Sequence, residues 1–200
     1  MGKIYQHISD YLPEKTTGKF VEIGSDRWEG STACLDKLAA SHSTTLITVD
    51  VLTDARDRLK SECPNTEFVV SNGIEWAGNF AMTHTDIDVL YLDNFDYIWD
   101  VNLFQANINQ QKAEYAGRGV TMSNQQCQIE HLKQLMLLYP NLTAKAVVAF
   151  DDTYCHNDCW IGKCGPAVIF LLANNWEIMH RTLDCGVVLT RKKKYCIITE

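Results

Sequence analysis

No apolar run in the 200-residue chain reaches the ~18 residues of a membrane-spanning helix, so a transmembrane anchor is not expected. The opening Met1-Gly2-Lys3-Ile4-Tyr5-Gln6-His7 lacks the apolar core of a signal peptide, and Gln6 stands where a myristoylation signal wants Ser or Thr. Positive charge is scarce: 18 Lys plus Arg against 25 Asp plus Glu leave a formal charge of −7, which argues against nucleic acid or a membrane surface as a partner. The single basic run, Arg191 to Lys194, reads as a solvated strand end. No internal repeat is present. With no secretion signal, the eight cysteines are expected to be reduced thiols in a cytoplasmic protein, and the Asn141-Leu142-Thr143 glycosylation match reads as coincidence.

What remains is ordinary globular material, 46% apolar and 22% charged, of a length that suits one domain with one generous insertion. Short β-branched runs alternate with helix-like stretches. Strands are expected at Lys19–Ile23, Thr45–Val49, Glu67–Val70, Ile87–Leu92 and Ala146–Phe150, and helices at Ser31–Ala40 and Asp54–Ser61. After the fifth strand a helix from Pro166 to Ala173 precedes two strands, Trp176–Arg181 and Gly186–Thr190. The pattern predicts an α/β fold: a Rossmann-like, doubly wound, mainly parallel sheet closed by an antiparallel C-terminal hairpin.

Between the fourth and fifth strands lie about fifty residues, more than a simple crossover needs. Asn102 to Gln128 is rich in Asn and Gln and reads as a surface loop or as a lid, with the insertion placed at about 100–128. Helical periodicity returns from Gln128 to Tyr139, with Ile129, Leu132, Leu135, Met136 and Leu138 as the expected apolar face.

The chemistry concentrates where strands end. Val21-Glu22-Ile23-Gly24-Ser25 runs into a loop and then a helix near Gly30-Ser31; Gly24 permits a tight turn, and the helix start offers amides to an anionic group. Asp50, closing the second strand, is placed to accept hydrogen bonds from ribose hydroxyls. In these residues the chain resembles the class I S-adenosylmethionine-dependent methyltransferases, in particular the small-molecule, metal-dependent O-methyltransferase branch. The resemblance runs from about Lys19 to Arg191 and implies cofactor contacts at Glu22, Gly24, Ser25, Gly30, Ser31, Asp50, Asn72, Gly73 and Asp93. Trp28 departs from it, standing where related loops carry glycine.

Asp93 after the fourth strand, with Asp151 and Asp152 after the fifth, converge if those strands are neighbours, and three carboxylates in one cleft repel unless protonated or neutralised by a cation. The resemblance implies Mg²⁺ or another divalent ion there, orienting and acidifying a substrate hydroxyl. Asp96 is the first candidate for the base, at a position where the family often carries His or Lys, and His156 is the second. Cys155, His156, Cys159 and Cys164 raise zinc as a further possibility, against plain reduced thiols. The resemblance implies that Trp160 and Lys163 lie in the loop after the fifth strand, beside the substrate entrance.

The function expected is transfer of a methyl group from S-adenosyl-L-methionine to a hydroxyl of a small-molecule acceptor, with both a monomer and a homo-oligomer left open. A non-catalytic binding module of the same fold and a nicotinamide-dependent oxidoreductase stand as alternatives.

Overall fold

The structure, a computed structural model, describes residues 3–26, 28–99, 105–182 and 185–192. Met1, Gly2, Arg27, the 100–104 stretch of the expected lid, Lys193, Lys194 and Cys196 lie outside the described residues. A 3-10 helix (Ile4–Tyr11) precedes the alternation β1 (Lys19–Ile23), α1 (Ser31–Ser41), β2 (Leu46–Asp50), α2 (Asp54–Leu59), β3 (Thr66–Val70), α3 (Gly73–Ala81) and β4 (Ile87–Leu92). Two helices then follow, α4 (Gln105–Gly117) and α5 (Asn124–Leu138), before β5 (Leu142–Phe150), the short hairpin β6 (Thr153–His156) and β7 (Cys159–Gly162), α6 (Gly165–Ala173), β8 (Trp176–Thr182) and β9 (Gly186–Arg191).

Seven strands form one sheet in the order β3-β2-β1-β4-β5-β9-β8; the first five are parallel, and β9 and β8 run antiparallel as the expected terminal hairpin. The central strands are buried on both faces, which explains their near-continuous apolar runs. One face packs Val21, Ile23, Leu90 and Leu92 against Ala77 of α3, Leu135 of α5 and Val168 of α6. The other packs Phe20, Val89, Tyr91 and Ala149 against Leu35 and Ala39 of α1 and against Ile4 and Ile8. Successive residues therefore alternate between two helical layers, which makes the sheet doubly wound.

Three expectations are corrected. The polar segment read as a loop contains a helix, α4, from residue 105 to 117. Helix α5 begins at Asn124, earlier than expected, because the Ser123 hydroxyl accepts the Gln126 N–H as an N-cap. Its buried stripe is Cys127, His131, Gln134, Leu135 and Leu138, so the helix is turned from the expected face and leaves Met136 exposed. The third concerns the stretch after β5, which is a β-hairpin with Asn157-Asp158 at its turn instead of a loop. Among the described residues no helix is long and apolar enough to cross a membrane.

Asp88 closes the opposite end of the sheet. It is 3% exposed, and its Oδ2 accepts the N–H groups of Thr17 (2.7 Å) and Gly18 (2.6 Å) while Oδ1 accepts the Thr143 hydroxyl (2.5 Å). An Asp88→Ala change strands these donors, and urea unfolding is expected to show a loss of about 2–4 kcal/mol.

Candidate active site

The site grows from the carboxyl ends of the parallel strands. Gly24 ends β1 with φ +99°, and a Cβ there would sit 2.6 Å from the Asp93 carbonyl oxygen. Glycine is required by both the backbone angle and this close approach. The strand ends are stitched together: the Gly24 N–H donates to the Val49 carbonyl (2.8 Å), Asp93 N–H to Ile23 (2.9 Å) and Ser71 N–H to Asp50 (2.9 Å).

Above these ends lies a cavity of about 220 Å³. Its walls are Asp50 and Val51 after β2, Ser71, Asn72 and Gly73 after β3, Asn94 and Phe95 after β4, and Glu130 of α5. Tyr115, Arg118 and Val120, at and beyond the end of α4, close it from above, and the Tyr115 ring lies 4.6 Å from that of Phe95. The Asp50 carboxylate is oriented by backbone donors, Ser25 N–H at 3.1 Å and Leu52 N–H at 2.8 Å. Asn72 caps α3, accepting the N–H groups of Ile74 and Glu75. A Cβ on Gly73 would meet Gln134 Nε2 at 2.6 Å and Ile23 Cγ2 at 2.8 Å, so this glycine also lets α3 and α5 approach.

The remaining residues expected at a cofactor do not line this cavity. Glu22 is fully buried and accepts hydrogen bonds from Ser31 (2.7 Å), Thr32 (2.6 Å) and Thr48 (2.6 Å), tying β1 and β2 to the start of α1. Glu22 and Ser31 thus brace the glycine turn from below, and Gly30 starts α1 with its N–H on Asp26 Oδ1 (2.9 Å). Burial pushes the Glu22 carboxyl up to about 7, against the lowering effect of its three hydroxyl donors. Ser25 borders a second cleft beside Trp28 and Arg58. Trp28 takes the positive φ (91°) that a glycine would adopt freely, and the Arg58 guanidinium lies 3.9 Å from its ring centroid.

A second cluster sits at the ends of β4 and β5. Tyr91 pairs with Ala149 in the sheet register, and Asp93 and Asp151, each two residues further on, fall on the same face. The Tyr91 hydroxyl reaches Asp151 Oδ2 (3.0 Å) and Asp93 Oδ2 (3.3 Å). The cation among these carboxylates is Lys163, whose Nζ lies 2.6 Å from Asp93 Oδ1 and 2.9 Å from Asp152 Oδ2. Burial alone lowers the pKa of this ammonium, but the Asp93 and Asp152 carboxylates outweigh burial and raise it. Asp151 is raised by its burial, then by Asp93 and Asp152. The expected ligands Asp93, Asp151 and Asp152 therefore meet, yet they meet an ammonium; among the described residues no group of three His, Cys, Asp or Glu side chains is arranged to hold a metal ion. As it stands, this donor set does not fit a divalent cation.

Asp96 is held by Tyr115, whose hydroxyl accepts the Asp96 N–H (2.8 Å) and donates to Oδ2 (3.2 Å). His156 lies exposed at the tip of the β6–β7 hairpin, three residues and roughly 10 Å of strand from its base at Thr153. The zinc arrangement does not form: Cys159 and His156 are exposed at the tip, whereas Cys164 is buried in the core beyond the other end of the hairpin. Cys34, Cys63, Cys127, Cys155, Cys159 and Cys164 are free thiols. Sequence reasoning missed Tyr91, Tyr115, Arg118, Glu130 and the ion pairs of Lys163, none of which stands in a recognisable motif. It also missed His131, fully buried with Nδ1 on the Cys127 carbonyl (2.8 Å) and kept neutral by burial, which takes its pKa down to about 3.

No protein-family model matches the chain, and no curated protein sequence matches it. Its fold is similar to that of solved methyltransferases. CalS11, a TDP-rhamnose 3'-O-methyltransferase of calicheamicin biosynthesis, superposes with a TM-score of 0.54 at 15% identity over 94% of this chain and 75% of that one. MycE, of the mycinamycin biosynthetic pathway and solved with Mg and SAH, gives 0.54 at 8% identity over 93% of this chain and 48% of its own. A TehB-like SAM-dependent methyltransferase from Corynebacterium glutamicum gives 0.50 at 13% over 94% and 87%. The likeness is one of fold.

Between its ordinary 4.5 and its buried value of about 7, Glu22 holds a proton in the folded chain that the unfolded chain has released. Stability must fall as pH rises through that window and stay at the lower level above it, a drop of up to roughly 3 kcal/mol. Urea unfolding from pH 4.5 to 8 is expected to show a shallower decline for Glu22→Gln than for the wild type, with the remaining slope carried in part by Asp151.

Proposed function

We propose that this chain is an S-adenosylmethionine-dependent methyltransferase acting on a hydroxyl of a small molecule. The observation that carries the reading is the cavity at the carboxyl ends of the parallel strands, walled by Asp50 where β2 closes, next to a β1 that runs into the Gly24 turn with no room for a Cβ. Those residues fit the cofactor: the Asp50 carboxylate for ribose hydroxyls, Val51, Asn72 and Phe95 around the base, and the Gly24-Ser25 turn with Asp93 beside the amino-acid portion. S-adenosylmethionine supplies an electrophilic methyl on a sulfonium. The chain supplies position, exclusion of water and removal of one proton.

Of the two candidates for proton acceptor, Asp96 is favoured over His156. Its carboxylate is oriented by Tyr115, a wall of the cavity, while His156 points from an exposed hairpin tip. Helix α4 acts as the lid, since its last turn and the residues after it form the roof. No step is routed through a metal, because Lys163 already meets the carboxylates that would bind one.

Calorimetry with S-adenosylmethionine tests the reading. The wild type is expected to bind, and Asp50→Ala to bind about 10- to 100-fold more weakly, the equivalent of losing hydrogen bonds to a charged group. No binding of either S-adenosylmethionine or S-adenosylhomocysteine by the wild type would sink it. The lid assignment predicts that protease cleavage between 105 and 120 slows when the cofactor is added; equal rates with and without it would reduce α4 to a static wall.

A further inference from the structure

We infer that Lys163 stands in for a divalent cation, so that the carboxylate cluster of Asp93, Asp151 and Asp152 is neutralised from within the chain and recruits neither Mg²⁺ nor Mn²⁺. Five of the cluster's six carboxylate oxygens have a partner within hydrogen-bond distance. Asp93 Oδ1 (2.6 Å) and Asp152 Oδ2 (2.9 Å) accept from Lys163, Asp151 Oδ1 accepts the Asp152 N–H (2.9 Å), and the one Tyr91 hydroxyl proton lies between Asp151 Oδ2 (3.0 Å) and Asp93 Oδ2 (3.3 Å). A hard cation needs several such oxygens at once, at about 2.0–2.6 Å, and would have to break these bonds and expel an ammonium to collect them.

The lysine is also built in. Its side chain is 8% exposed, and it follows Gly162, which pairs with Thr153 at the base of the hairpin. Its own N–H donates to the Asp152 carbonyl (2.9 Å), so backbone and side chain both lock it against the acid it neutralises. The hairpin base in turn is fixed by the Thr153 hydroxyl, which accepts the Cys164 N–H (3.0 Å) and donates to the Asp151 carbonyl (2.8 Å). An ammonium has three hydrogens and these carboxylates take two.

Mn²⁺ titration of the full chain, followed by loss of the free-ion electron paramagnetic resonance signal, tests the inference without cofactor or acceptor. Wild type is expected to show no binding that depends on Asp93 at a Kd tighter than about 1 mM, the weak end of protein sites for hard cations. Lys163→Met, which removes the charge and keeps the length, is expected to bind Mn²⁺ at least about tenfold more tightly, and adding Asp93→Asn should cancel the gain. Tighter wild-type binding that Asp93→Asn abolishes overturns the inference, as does a folded Lys163→Met with no gain. Should that variant not fold, the wild-type and Asp93→Asn titrations decide alone. S-adenosylmethionine binding is measured separately, so failure here leaves the methyltransferase reading standing, and the reverse.

Discussion

Three carboxylates at one edge of a sheet cannot be left to repel one another, and the compensation of Asp93, Asp151 and Asp152 organises the region around them. Two unit charges 4 Å apart interact by about 4 kcal/mol at a dielectric near that of a protein surface, so an unpaired set would raise pKa values or push the strands apart. The fold answers with a buried ammonium and a tyrosine hydroxyl. The β6–β7 hairpin is the element that delivers the ammonium, since Lys163 follows directly on β7.

The glycine turn rests on a different device. Glu22 is pointed away from the cavity and toward three hydroxyls, so the turn above it is braced by a polar cluster inside an apolar layer. Such a cluster is tolerable because every oxygen is paired. Its effect reaches the site through geometry: the position of Gly24 against Asp93 depends on where β1 and α1 are held.

The sheet was legible because its central strands are buried on both faces and read as β-branched runs. The carboxylates and Asp50 were legible too, being strand-end acids in a parallel sheet. Helix α4 was not, since Gln, Asn, Lys and Glu mixed with small residues leave no apolar period for the eye to follow. The face of α5 misled for a related reason: His131 and Gln134 count as polar in any pattern, yet both are fully buried against the sheet. Lys163 was visible only as a loop residue near the entrance, because its partner Asp93 is 70 positions away and long-range pairing leaves no trace in local spacing.

The hairpin that carries Lys163 divides labour along its length. At the base, Thr153, Gly162 and Lys163 are locked by hydrogen bonds to the ends of β5 and α6. At the tip, His156, Asn157, Asp158 and Cys159 face solvent. Two further pairs of strand residues, Tyr154 with Ile161 and Cys155 with Trp160, separate the ends. The tip can therefore change in length or chemistry without unsettling the charge balance beneath it.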